Sequence, residues 1–192
     1  MTPVQSQAAE NTSFQVEEIP RAPAEPGAAT LVLGLGNPLL GDDGAGWKIV
    51  STLQDQMRAR DIEFDCLDCS GLALMERLVG YRQAILVDAV TTGSGPLGQV
   101  QCLSVEELGD PSLGHLTSAH DTSLRSALEL ARELDLPLPS PILVIGIEVQ
   151  PSNDCSARLS GPVEEAVPQA TEKIRDLLAS LRATAGRGVP PG

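Results

Sequence analysis

Continuous apolar runs of strand length alternate along the chain with stretches whose apolar residues recur at helical spacing. "TLVLGLG" (30–36) has no polar alternation and ends in glycines, as a strand buried on both faces of a parallel sheet does. From Gly46 the pattern changes to Trp47, Ile49, Val50, Leu53 and Met57, which predicts a helix. "IEFDCLD" (62–68) predicts a second strand, "LALMERLVGY" (72–81) a helix and "QAILVDAV" (83–90) a third buried strand, so two right-handed crossover units are expected. Only "TTGSGPLGQ" separates that strand from "VQCLSV" (100–105), too little for a parallel crossover, so the fourth strand is expected to be an antiparallel edge. Leu124, Ala127, Leu128, Ala131 and Leu134 predict a helix stopping before Pro137, and "PILVIGIEV" (141–149) is the last strand. A closing helix is expected from about Pro162, favoured in a first turn, to about Leu181, with Pro168 a point of kinking.

Composition sets the boundaries. Residues 1–28 are polar, carry four prolines and show no apolar period, which predicts a disordered arm before a single domain at 29–183 and a flexible tail at 184–192. The arm lacks the apolar stretch of a secretory signal and no run of 18 apolar residues occurs, so a cytoplasmic protein with no membrane span is expected. Thirteen basic against 26 acidic residues give a net charge of −13, which repels nucleic acid and anionic membrane. A monomer is expected. Of the four cysteines, Cys66 and Cys69 form one C-x-x-C without the second pair a structural zinc site needs, and Cys102 and Cys155 are isolated, so reduced thiols are expected.

In such a sheet, ligands bind at the carboxyl ends of the strands. The first strand's exit loop carries Asp42 and Asp43, the second strand ends at Asp68, the third presents Asp88, and "SAHDTS" brings His120 to a helix start. Asp42 or Asp43 could simply cap the Trp47 helix. A carboxylate following four apolar strand residues, as Asp88 does, costs free energy unless bonded or metal-bound. His115 and His120 are the only two histidines; the macrodipole at a helix start favours neutral His120. Two carboxylates with one imidazole make an oxygen and nitrogen donor set suited to nickel, zinc or iron. Phosphate is a poor fit: a dinucleotide fingerprint needs glycine at 39, where Leu39 stands, and no P-loop lysine follows. Gly34, Gly36, Asn37, Asp42, Gly44 and Gly46 are the residues expected to shape this loop around a cation. "GLGNP" also resembles the start of peptidyl-tRNA hydrolases, but their following Arg-His-Asn segment is missing and the net charge opposes a polyanionic substrate.

"LGLGNPLLGDDGAGWKIV", "DCSGLALMERL", "AILVDAV", "SAHDTSL" and "VIGIEVQP…LSGPVEEAVP" resemble the hydrogenase maturation proteases from about Thr30 to Leu181. The resemblance implies a three-layer α/β/α sandwich with a twisted, mostly parallel five-stranded sheet. It further implies an endopeptidase that removes a C-terminal extension from the large-subunit precursor of a [NiFe] hydrogenase after nickel insertion. The family's metal-contacting positions fall here on Asp43, Asp88 and His120, the nickel being supplied by the substrate, with no tightly bound resident metal. Asp43 stands where many relatives have glutamate. Asp68, Cys69, Ser70 and Gly71 replace the Asp-Gly-Gly of many members in the substrate-recognition loop. Asp42 is a candidate general base. A non-catalytic, chaperone-like binder of the hydrogenase subunit is the alternative.

Overall fold

In the computed structural model, the residues described are 30–68, 72–93, 95–105, 128–150 and 155–185. β1 (Thr30–Leu35) leads through a 3-10 turn, Gly41–Gly44, into α1 (Ala45–Gln56). β2 (Ile62–Leu67), α2 (Leu72–Leu78), β3 (Gln83–Val90) and β4 (Val100–Ser104) follow. Residues 128–133 are helical (α3), and the chain closes with β5 (Ile142–Glu148) and α4 (Gly161–Ala185). The strand order is β2-β1-β3-β5-β4, parallel except for β4, which pairs antiparallel with β5 at the edge.

Every residue of β1 and β3 is buried, which is why these strands read as unbroken apolar runs. On one face Val32, Ile85, Val87, Ile145 and Ile147 pack against α1 and α4. On the other, Leu31, Leu33, Leu86 and Val144 pack against Leu74 and Leu78 of α2 and Leu128 of α3. The result is a three-layer α/β/α sandwich around a five-stranded sheet.

The structure departs from the sequence reading at element ends. The 3-10 turn was not anticipated. α2 stops at Leu78 rather than Tyr81, because the chain turns there and Gly80 N–H bonds the Pro137 carbonyl. α4 runs through Pro168 and on past Leu181 to Ala185, where Arg182 bonds Asp61 at 2.6 and 2.8 Å. The proposed arm at 1–28, most of the tail, and the start of the predicted helix at 124–127 lie outside the described residues. Among the described residues no helix is long and apolar enough to cross a membrane.

Candidate functional site

α1 begins unusually close to the sheet. A Cβ on Gly46 would lie 2.3 Å from the Val87 carbonyl oxygen and 2.5 Å from that of Leu35, so only glycine lets the helix rest on the ends of β1 and β3. Gly36, at φ +106°, has the Asp43 carbonyl 1.9 Å from where a Cβ would stand. The loop between β1 and α1 is therefore folded back on itself, with its 3-10 turn beside β3.

That fold-back fixes both loop aspartates. Asp43 Oδ2 accepts the Asn37 N–H at 2.6 Å, and Asn37 Oδ1 in turn accepts that of Leu39 at 2.9 Å. Asp42 Oδ1 accepts the Ser160 N–H at 2.6 Å, while Gly41 N–H bonds the Ser156 carbonyl at 2.5 Å, tying the loop to the approach to α4. Neither aspartate caps α1: the N-cap is Gly44, with no side-chain bond. The helix-cap reading is thus replaced by a loop in which each carboxylate accepts a main-chain amide.

Asp88 continues the ladder Ala84, Leu86 on the α2 and α3 face, at the end of β3, and is 3% exposed. Its Oδ1 accepts the Ala89 N–H at 2.9 Å. Asp88 pairs with Gly146, and Val90 with Glu148, in the parallel ladder to β5, so Asp88 and Glu148 share a face. Asp43 lies in the 3-10 turn that follows β1 and contacts β3, and Asp88 lies two residues before the end of β3. Asp68 is exposed just after β2; Cys69, Ser70, Gly71, His115 and His120 lie outside the described residues. Among the described residues no three His, Cys, Asp or Glu side chains form a metal-ligand group.

Sequence reasoning missed Glu148. It is 2% exposed, and it accepts bonds from the amides of Thr92 (2.9 Å) and Gly93 (2.8 Å), the Thr92 hydroxyl (2.5 Å) and Gln101 Nε2 (3.3 Å). It fastens the loop after β3 to the end of β5. The signal was present: a carboxylate inside "ILVIGIEV" is as conspicuous as one inside "AILVDAV".

Cys66, Cys102 and Cys155 are free thiols. Burial, with the Asp65 charge adding to it, pushes the Cys66 thiol up to about 11, which leaves it a poor nucleophile at neutral pH.

Buried Asp88 and half-buried Asp42 and Asp43 lie toward the carboxyl ends of a mostly parallel sheet, where ligands bind in open α/β folds. Comparison with known proteins narrows the class. The family described as HycI hydrogenase maturation protease matches residues 47–177. The hydrogenase 2 maturation protease of Escherichia coli is 28% identical over 163 residues, 83% of this chain and 94% of that protein. A putative hydrogenase maturation protease of Methanocaldococcus jannaschii is 30% identical over 149 residues, 75% of this chain and 92% of its own. Among solved structures, the hydrogenase maturating endopeptidase HybD from E. coli superposes with a TM-score of 0.65 at 27% identity, covering 81% of this chain and 93% of that one. The chain belongs to the hydrogenase maturation proteases, and it is a peptidase.

Proposed function

We propose that this enzyme removes the C-terminal extension of a [NiFe]-hydrogenase large-subunit precursor after nickel has been inserted. The observation that carries the reading is the two carboxylates, Asp43 in the turn after β1 that contacts β3 and Asp88 near the end of β3, each accepting a main-chain N–H. An amide donor orients a carboxylate without cancelling its charge, and on this reading both carboxylates engage a cation. Asp43, Asp88 and His120 would contact nickel that the precursor already holds, which suits a donor set too sparse to select one divalent metal by itself. Nickel so placed supplies a Lewis acid toward the scissile carbonyl or an attacking water. The chain's own part is to fix the two carboxylates: Asn37 N–H sets Asp43, and the β3 backbone sets Asp88. Asp42 is the candidate general base, with one oxygen on Ser160 N–H. Asp68 and the residues 69–71 after it are the substrate-recognition loop on this reading. We take the enzyme to act as a monomer in the cytoplasm, in keeping with its free thiols.

The test is metal analysis of the purified protein together with mass measurement of precursor incubated with it. Little bound metal, and cleavage of nickel-loaded precursor only, is the expected result. A firmly bound zinc with efficient cutting of nickel-free precursor would overturn the substrate-metal reading. Normal processing by a well-folded His120→Ala protein would remove His120 from the site.

A further inference from the structure

β3 changes its support at Asp88. Its register with β1 ends at the pair Gly34–Val87, whereas that with β5 runs on through Asp88–Gly146 to Val90–Glu148. The Asp88 carboxylate is turned back onto this last stretch, its Oδ1 accepting the Ala89 N–H at 2.9 Å. Its orientation is therefore set by backbone whose ladder partner is β5. The residue facing Asp88 across that ladder, Gly146, has no side chain to brace it, and a Cβ there would meet Val90 Cγ2 at 2.9 Å. Beyond the ladder, Val149 N–H bonds the Val90 carbonyl at 2.8 Å, and a single side chain then closes the seam. Glu148 Oε1 accepts the amides of Thr92 (2.9 Å) and Gly93 (2.8 Å), while Oε2 accepts the Thr92 hydroxyl (2.5 Å) and Gln101 Nε2 of β4 (3.3 Å).

We infer that Glu148 is a positioning residue for the hydrolytic site, holding the end of β3 against β5 so that Asp88 keeps its orientation. The inference rests on the reading of Asp88 as a site carboxylate given above. A carboxylate suits the task because each of its oxygens accepts two bonds, so one side chain gathers the loop after β3 and the edge strand β4 onto the end of β5. Without it the stretch from Ala89 to Gly93 keeps only its main-chain bonds to β5, and the amide that orients Asp88 lies in that stretch. Misplacing a reacting group by about 1 Å costs about a hundredfold in rate, even when the change that causes it lies away from the chemistry.

The experiment compares wild type, Glu148→Ala, Glu148→Gln and Arg77→Met, each well below its melting temperature. Cleavage of full-length nickel-loaded precursor is measured beside amide hydrogen exchange of the enzyme by NMR. Glu148→Ala should lower kcat/KM about a hundredfold and speed exchange at Thr92, Gly93 and Ala89, the last because its bond to Asp88 is loosened. Glutamine keeps an acceptor for both loop amides, so Glu148→Gln should stay within about threefold of wild type. Arg77→Met removes the cation between Glu63 and Asp65 of β2, and should change neither the rate nor Ala89 exchange. Should Glu148→Ala fail to fold, Glu148→Asp, one methylene shorter, carries the test with about a tenfold loss and the same pattern of exchange. Unchanged kcat/KM or unchanged Ala89 exchange in a folded Glu148→Ala protein would overturn the assignment. So would a glutamine variant as impaired as the alanine one, or an equal loss in Arg77→Met. The two readings fail separately: if wild type does not cut precursor the proteolytic reading falls, and Ala89 exchange still decides whether Glu148 holds Asp88.

Discussion

Two groups of acidic residues in this molecule are held in different ways. On the flank of the sheet, Glu63 and Asp65 of β2 lean on Arg77 of α2, which bonds both carboxylates and the Tyr81 hydroxyl. Tyr81 in turn donates to Glu63 at 2.6 Å, and its hydroxyl titrates above its ordinary range, chiefly through burial and next through that carboxylate. Toward the carboxyl ends of the strands, Asp42 and Asp43 take bonds from the main-chain amides of Ser160 and Asn37, and Glu148 from those of Thr92 and Gly93 together with the neutral side chains of Thr92 and Gln101. A guanidinium cancels the charge it binds, whereas an amide orients a carboxylate and leaves its charge in place. The flank acids are held by a cation; these acids are held by backbone amides and neutral side chains.

The comparison can be sharpened by removing one holder at a time. The largest stability loss is expected for Glu148→Ala, which strands the Thr92 and Gly93 amides beneath the loop after β3 and should cost about 3 kcal/mol in urea unfolding. Glu148→Gln keeps an acceptor and should cost about 1 kcal/mol. Next comes Arg77→Met, which leaves Glu63 and Asp65 partly buried without their cation and should cost about 2 kcal/mol while processing continues. Lost processing in a folded Arg77→Met protein would show that the flank acids take part in the chemistry. The smallest effect is expected at the exposed Arg182–Asp61 pair, where Arg182→Ala should cost about 0.5 kcal/mol, fading in high salt. The hydrogen bond from Arg182 holds the Asp61 carboxyl below its ordinary value. The pair's stabilisation is therefore present above the ordinary aspartate range and lost as pH falls through the depressed value, so wild type and Arg182→Ala should converge in melting temperature on acidification.

The fold was legible because burial writes itself into sequence. β1 and β3 are covered on both faces and appear as unbroken apolar runs, while the short stretch before Val100 forced β4 to be antiparallel. Asp88 was legible as a carboxylate late in a buried strand and Asp43 as one of two in the loop leaving β1, since the topology points to the carboxyl ends of the strands. Their holders were not. Asp42 is bonded by Ser160, 118 residues away, and no local spacing announces such a partner. The 3-10 turn was hidden because it depends on Gly36 and Gly46 letting loop and helix press against Asp43 and Val87. Glu148 went unread although its setting matched that of Asp88. The clamp on β2 escaped notice because Arg77 meets Glu63 and Asp65 only when helix and strand pack.

The most direct test sets the two groups of acids against each other with charge-removing, nearly isosteric changes. Asp43→Asn and Asp88→Asn on one side, and Glu63→Gln and Asp65→Asn on the other, would each be melted to establish folding and then given nickel-loaded precursor, with product mass followed over time. The strand-end variants should fold and lose processing by at least about a thousandfold, as removal of charge from a reacting centre does, while the flank variants process at near the wild-type rate. Normal processing by folded Asp43→Asn and Asp88→Asn proteins, or loss confined to the flank variants, would contradict the account.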